Sequence, residues 1–328
     1  MELRRTPEQL ALLIREAHTI ALCSHINPDG DTIGSALALK IGLTSMGKQV
    51  DVYCADHVPD SLLMLPGAKD YLTPDAAQGK RYDLLLCVDI PAINRMGSCE
   101  RLLHQAEHMA QIDHHGTNPA YAQVDDVDPT ASATGLLVKE LLDALGVAIT
   151  REISICLYTA ISTDTGNFAF RWTTSEAFRT MGELMDAGLP LAEMHRKLFM
   201  QRSKAQLLLL SRALSSVRFY HNDQITSMSL TLKDFEECGA KQEHVNTVIN
   251  YGIVPTGVRM SMLAREMEGG KVQVSLRAIE PDRVDGIASS FGGGGHAQAS
   301  GCTLDCPLEE AVERVVHAMI SALDEEAT

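Results

Sequence analysis

The chain has 328 residues, with 28 Lys+Arg against 43 Asp+Glu for a formal net charge of −15, and it is 45% hydrophobic and 22% charged. That length suggests about two domains, and the composition excludes long disordered tracts and collagen-like repeats. The acidic balance excludes broad electrostatic attraction to long nucleic acid or anionic membrane, because neither meets a positive surface that would release its counterions.

Thr6-Pro7-Glu8-Gln9 reads as a helix start, with Thr as N-cap, Pro at the first position and Gln at the capping-box position; a helix follows to about Ala17. No signal-peptide core precedes it, and no apolar run approaches the roughly 20 residues that span a bilayer, so a cytoplasmic protein is expected. Residues 19–23 read as a buried strand, and the turn Asn27-Pro28-Asp29-Gly30 leads into a helix over 31–46, closed by Gly47. Residues 50–54, 83–88 and 109–112 read as three more strands. Strands that are almost wholly apolar and separated by helices indicate a parallel, Rossmann-like sheet covered on both faces. Helices dominate from about 131 to 215.

Beyond Val217 the pattern changes. Residues 217–220 and 224–230 flank His221-Asn222-Asp223 as one hairpin, and 259–266 with 271–277 flank Glu268-Gly269-Gly270 as a second. The expected architecture is therefore α/β, with a sheet domain over 1–200 that includes a helical connector, and a smaller α+β domain over 215–328. The charge divides unevenly: residues 1–195 carry 14 basic and 26 acidic side chains, a net of −12, and the remainder only −3. Cys23, Cys54, Cys87 and Cys156 lie in apolar segments and no Cys-x-x-Cys pair exists, so neither a zinc ribbon nor a disulfide framework is expected.

Where the first strand ends the sequence reads Ser24-His25-Ile26-Asn27-Pro28-Asp29-Gly30-Asp31. Ligands of open parallel sheets bind beyond the carboxyl ends of the strands. An imidazole and two carboxylates on a tight turn can converge there on a metal; alternatively, Asp29 makes the turn and Asp31 caps the helix. Asp89 follows the third strand, Asp113-His114-His115 the fourth, and Asp164 an apolar helix-like run, and all are expected on one rim. So much negative charge in one crevice is self-repulsive without cations. A mixed carboxylate and imidazole set suits Mn²⁺ ahead of Fe²⁺, Mg²⁺ or Zn²⁺. The ligand number points to two ions about 3.5–4 Å apart, an arrangement that activates water and neutralises a phosphoryl transition state.

Two later segments carry double readings. Phe291-Gly292-Gly293-Gly294-Gly295-His296 is either a flexible linker or a cradle whose backbone N–H groups and His296 close on a phosphate, a task to which Arg277 at a strand end also points. Asn167-Phe168-Ala169-Phe170-Arg171-Trp172 offers base-stacking aromatics or packs as a hairpin or helix end.

The set His25-x3-Asp29-x-Asp31, Asp89, Asp113-His114-His115 and Asp164 resembles the four motifs of the DHH phosphoesterase family, and residues 291–301 resemble the glycine-rich signature of its associated C-terminal domain. The likeness extends over roughly residues 20–305 and is nearest to the short two-domain bacterial branch, the nano-RNase or bifunctional oligoribonuclease and 3′-phosphoadenosine-5′-phosphate (pAp) phosphatase type. It implies a manganese-dependent phosphodiesterase acting on short RNA, linear dinucleotides and pAp, with cyclic di-AMP hydrolysis as the alternative and a non-catalytic nucleotide sensor opposed by the intact motifs. It implies His25, Asp29 and Asp89 on one manganese, and Asp31, Asp89, His114 and Asp164 on the other. Asp113 would orient a histidine, and His115 would reach the scissile phosphate. Arg277, Gly293, Gly294, Gly295, His296 and Arg95 would bind substrate. The family's usual Thr or Ser after the Asp89 position is Ile90 here. A homodimer is compatible with the resemblance; long nucleic acid and membrane are not expected partners.

Overall fold

The computed structural model describes residues 5–245 and 247–326, with side chains throughout except at 243, 296, 325 and 326. The chain divides between Gln201 and Arg202 into two units.

The first unit opens on helix α1 (Pro7–Glu16). Thr6 stands at its N-cap, but the hydroxyl donates to Asp125 O at 2.8 Å and makes no capping hydrogen bond, so the expected capping box does not form. Six strands follow: β1 (Thr19–Cys23), β2 (Gln49–Tyr53), β3 (Tyr71–Leu72), β4 (Tyr82–Val88), β5 (Ala106–Asp113) and β6 (Val124–Val127). They form one parallel sheet in the order β3-β2-β1-β4-β5-β6. Two more strands are present than the four the sequence announced. β3 is only two residues long, and β6 carries Asp125 and Asp126 where an apolar run would mark a buried strand. Asp126 is wholly buried against the Arg5 guanidinium at 2.9 Å.

Alternation along the strands sends Ile20, Leu22, Leu84 and Leu86 into one apolar cluster and Ala21, Cys23, Leu85 and Cys87 into another, which also holds Met96, Cys99 and Leu102 of the 3₁₀ segment Ile93–His104. The first cluster is completed by helices α2 (Gly30–Ser45), α3 (Thr134–Leu145) and α4 (Arg151–Asp164). α2 and α4 lie so close at Gly34 that a Cβ there would stand 2.4 Å from Cys156 O. This contact brings the start of α2 and the end of α4 to the same place. Helices α5 (Ser175–Asp186) and α6 (Leu191–His195) complete the unit.

The second unit begins with α7 (Lys204–Ser215), which has the full Ser203–Gln206 capping box. Then come β7 (Arg218–Tyr220), β8 (Ile225–Leu230), α8 (Leu232–Cys238), α9 (Ile249–Gly252), β9 (Met260–Glu266), β10 (Val272–Ala278), α10 (Asp285–Ser290), β11 (Gly294–His296), β12 (Ala299–Leu304) and α11 (Leu308–Glu326). Both expected hairpins form, the first turning through His221, Asn222 and Asp223, all at positive φ. The sheet order β11-β12-β10-β9-β8-β7 is antiparallel except between β8 and β9, which run parallel. The second sheet is thus mixed where only antiparallel pairs were expected.

Candidate metal centre

In a sheet ordered 3-2-1-4-5-6 the strand order reverses between β1 and β4, and the loops leaving that switch point line the ligand crevice. His25, Asp29 and Asp31 follow β1, and Asp89 follows β4. Asp89 stands at φ 61°, a left-handed conformation that Asp tolerates better than most residues. The turn is fixed by its N–H donating to Ile112 O at 2.9 Å and by Thr134 Oγ1–H donating to its Oδ1 at 2.8 Å.

The two readings of the β1 loop turn out to be compatible. Asp29 is the N-cap of α2 through Oδ1, which accepts from the N–H groups of Asp31 and Thr32, while its Oδ2 faces His25 Nε2 at 3.7 Å. Asp31 does not cap its own helix. Its carboxylate, almost wholly buried, accepts from Thr134 N–H at 2.7 Å and Gly135 N–H at 3.0 Å at the start of α3, and from Ser35 Oγ–H at 3.0 Å. Asp164 is not a strand-end acid as its partners are; it is the last residue of α4.

Around Asp89 the donor atoms converge. Its Oδ2 lies 3.5 Å from His25 Nε2, and its Oδ1 lies 3.8 Å from His114 Nε2 and 3.6 Å from His115 Nδ1. His114 Nε2 also faces Asp164 Oδ2 at 3.3 Å and Asp31 Oδ2 at 3.8 Å. Three groups of candidate ligands emerge: His25, Asp29 and Asp89; Asp31, His114 and Asp164; and Asp89, His114 and His115. In each the ligand atoms lie within 4.8 Å of one another.

Both candidate imidazoles are oriented from behind, His25 Nδ1 against Ile26 O at 2.8 Å and His114 Nδ1 against Ala131 O at 3.2 Å, which leaves Nε2 to the cluster. The nitrogen-to-oxygen separations of 3.3–3.8 Å are long for hydrogen bonds. They approach the spacing of ligands that share an ion, each about 2.1 Å from it and therefore about 3.0–3.4 Å apart.

Charge gives the same indication. Burial, then the charges of Asp89, Asp164 and Asp29, raises the Asp31 carboxyl well above its usual range. Burial, helped by the charges of Asp89 and Asp29 and opposed by His114 and His115, raises Asp164 to about 6. Burial opposes protonation of His25, yet Asp29 and Asp89 outweigh it and hold the imidazole up at about 10. Asp31, Asp164 and His25 are thus drawn towards their protonated forms, while at Asp29 burial is outweighed by His25 and the α2 amides and the carboxyl is held below its usual range; a divalent cation would relieve the same excess of negative charge.

His115 differs from its neighbour. Its Nδ1 lies 2.8 Å from Asp113 Oδ1, and the wholly buried Asp113 also accepts from Asn118 Nδ2 at 2.5 Å. Burial opposes the charge on His115, but Asp113 and then Asp89 raise it to about 8. Asn118 in turn is locked to Gln111 and to Ile90 O. The Ile90 side chain packs in the cluster that holds Met96 and Cys99, so the departure from the family's Thr or Ser takes no donor from the three candidate groups. Arg95 Nη2 lies 3.3 Å from His25 Nδ1. Sequence reasoning missed Asn118, for which no signal exists, and Thr134, whose Thr-Gly at a helix start could have announced an anion-holding N-terminus.

In the second unit the register aligns Arg277 with Ala299 and Ala299 with His296, one row across β10, β12 and β11. The His296 side chain lies outside the described residues. Arg277, half-buried, donates from Nη1 to Leu276 O at 2.9 Å and meets no carboxylate among the described residues; burial lowers its pKa. The glycines are neither a linker nor uniformly free. Gly293 N–H donates to Ala288 O at 2.9 Å, closing α10, and so is engaged within the fold. A Cβ at Gly293 would stand 2.1 Å from Gly301 O and one at Gly295 2.6 Å from Ala299 O, whereas Gly294 has nothing within 4 Å.

No helix among the described residues is long and apolar enough to cross a membrane. Comparison with known proteins gives concordant matches. Residues 19–161 match the DHH family, N-terminal domain, and residues 227–325 match the DHHA1 domain. The chain is 35% identical over 301 residues, covering 92% of it and 89% of the relative, to a Thermus thermophilus protein named bifunctional oligoribonuclease and PAP phosphatase NrnA. It is 22% identical over 289 residues, 87% of this chain and 89% of the relative, to the Bacillus subtilis protein of the same name. A solved structure of an exopolyphosphatase-related protein from Bacteroides fragilis matches with a TM-score of 0.88 at 28% identity, covering 97% of this chain and 95% of that one.

Proposed function

The chain belongs to the DHH phosphoesterase family, and on that premise we propose that it is a manganese-dependent phosphodiesterase. It degrades short oligoribonucleotides and linear dinucleotides to mononucleotides and removes a phosphate from pAp. The observation that carries this reading is the pair of donor groups on either side of one aspartate: His25 and Asp29 on one side of Asp89, Asp31, His114 and Asp164 on the other. These residues would hold two Mn²⁺, which supply charge neutralisation at phosphorus and activation of water.

Hydrolysis breaks one P–O bond, attaches the oxygen of water to phosphorus and gives a proton to the departing sugar oxygen. Delivery of that proton is assigned to His115. Asp113 holds its Nδ1–H and Asn118 holds Asp113, which fixes the tautomer and leaves Nε2 as the working nitrogen. Arg95 approaches the cluster beside His25 and is assigned to substrate. Arg277, with the backbone of Gly294, Gly295 and His296, is assigned to a terminal phosphate, because a guanidinium that meets no carboxylate among the described residues suits a dianion. Purified protein with Mn²⁺ should convert a 5′-phosphorylated RNA dimer to mononucleotides and release phosphate from pAp; turnover of neither would overturn the proposal.

A further inference from the structure

Phe170 and Trp172 lie on the loop that leaves α4, and the chemistry assigned above uses neither. Their rings stand 4.7 Å apart at 43°, and they are 45% and 51% exposed, so two adjoining aromatic faces are open to solvent. Phe168, two residues earlier, tilts against Phe178 and packs on the core.

The loop that presents the exposed pair is strained. Gly166, Asn167 and Phe168 follow one another at φ 56°, 57° and 64°, and a phenylalanine there is an outlier that only a well-determined setting keeps. That setting fixes the rings. The Phe170 ring lies on Gly166, 2.5 Å from where a Cβ would stand, so a side chain there would displace the ring. Trp172 Nε1–H donates to Asp164 O at 3.1 Å, and Ser132 Oγ–H donates to Trp172 O at 2.8 Å. A two-ring surface is thus fastened to the backbone of a residue whose carboxylate belongs to the metal cluster.

We propose that Phe170 and Trp172 form a stacking platform for the nucleobase next to the phosphate being cleaved. The inference rests on the phosphodiesterase reading and names how that site holds its substrate. A region with a net charge of −12 cannot hold a nucleotide by long-range attraction. Every base offers a π-face, so stacking gives affinity without sequence choice, and the larger purine face should gain more than a pyrimidine.

Trp172 is the only tryptophan in the chain, so its fluorescence reports on the platform directly. The full chain with Mn²⁺ is mixed in stopped flow with pApA and, separately, with a dimer whose bases are absent. We expect pApA to quench Trp172 in the first turnover and the abasic dimer to leave it unchanged. The preference for pApA over the abasic dimer, as a ratio of kcat/KM, should fall about tenfold in Trp172→Leu and in Phe170→Leu, within the range that base stacking supports. Turnover of pApA without quenching, or an unchanged preference in both variants, would overturn the platform. Quenching by pApA without any turnover would instead overturn the phosphodiesterase reading and leave the platform standing.

Discussion

The Asp89 cluster in the first unit and Arg277 in the second are both sites of uncompensated charge, with opposite sign. Around Asp89, four aspartates face the imidazoles of His25 and His114, and protons are drawn onto Asp31, Asp164 and His25. At Arg277 a half-buried guanidinium has one backbone carbonyl and no carboxylate among the described residues. Unpaired charge away from water costs stability, so its retention indicates a partner that arrives later. The signs name the partners: a cation for the first site and an anion for the second. The sites also differ in rigidity. Three of the four aspartates of the first have a further contact that aims the carboxylate, the α2 amides on Asp29, the α3 amides on Asp31 and Thr134 on Asp89, whereas the second depends on strand register.

The comparison breaks most easily at Asp89, which faces both donor groups. Asp89→Asn keeps the shape but removes the shared charge. A loss of at least about 10³-fold in kcat is expected, because metal-centred charge stabilisation is worth several kcal/mol. Steady-state kinetics on pApA, with circular dichroism to verify the fold, would check it; activity within tenfold of wild type would end the two-metal assignment. His115→Ala should cost about 10²-fold in kcat with Mn²⁺ affinity little changed, since the residue is assigned to proton delivery. A large loss of Mn²⁺ affinity would make it a ligand instead.

Arg277→Gln sharpens the other side. A charged hydrogen bond to phosphate is worth about 1.5–3 kcal/mol, so KM should rise about 10- to 100-fold with kcat nearly constant. A fall in kcat without a rise in KM would place Arg277 in the chemistry rather than the grip.

The excess negative charge also has a pH signature. The folded pKa values of His25, at about 10, and Asp164, at about 6, are both raised, so without metal the native state binds more protons than the unfolded chain. Stability then falls as pH rises through that window, because the slope follows protons bound unfolded minus protons bound native. Mn²⁺ displaces those protons, so its apparent affinity should rise about tenfold per pH unit for each proton released. Melting with chelator at pH 5, 7 and 9, and Mn²⁺ titration at each, tests both signs; an affinity that ignores pH would refute the charge argument.

What was legible in the sequence follows the same division. The cluster could be read because acids standing directly after apolar strands are conspicuous, and parallel topology collects strand ends on one rim. β6 was hidden because Asp125 and Asp126 interrupt its apolar pattern, and only Arg5, more than 100 residues away, explains how Asp126 is buried. Asp164 was legible as an acid at the end of an apolar helix-like run, and that run is α4. Thr134 and Asn118 act through contacts that spacing does not encode. The glycine run was the least legible segment, since one composition serves a linker, a cap, a close-packed strand and a ligand loop.

That ambiguity yields the smallest and most discriminating prediction. A methyl group at Gly293 or Gly295 meets the backbone of β12, so either Ala variant should be destabilised by roughly 1–3 kcal/mol, whatever the ligand. Gly294 has open space around its Cβ position and no left-handed φ, so Gly294→Ala should change stability by less than about 0.5 kcal/mol. Any rise in KM for pAp in Gly294→Ala is then free of a folding effect and reports on the approach of phosphate to the β11 backbone. If KM stays at the wild-type value while Arg277→Gln raises it, the arginine alone grips the phosphate, and the glycines serve the α10 cap and the β11–β12 pairing.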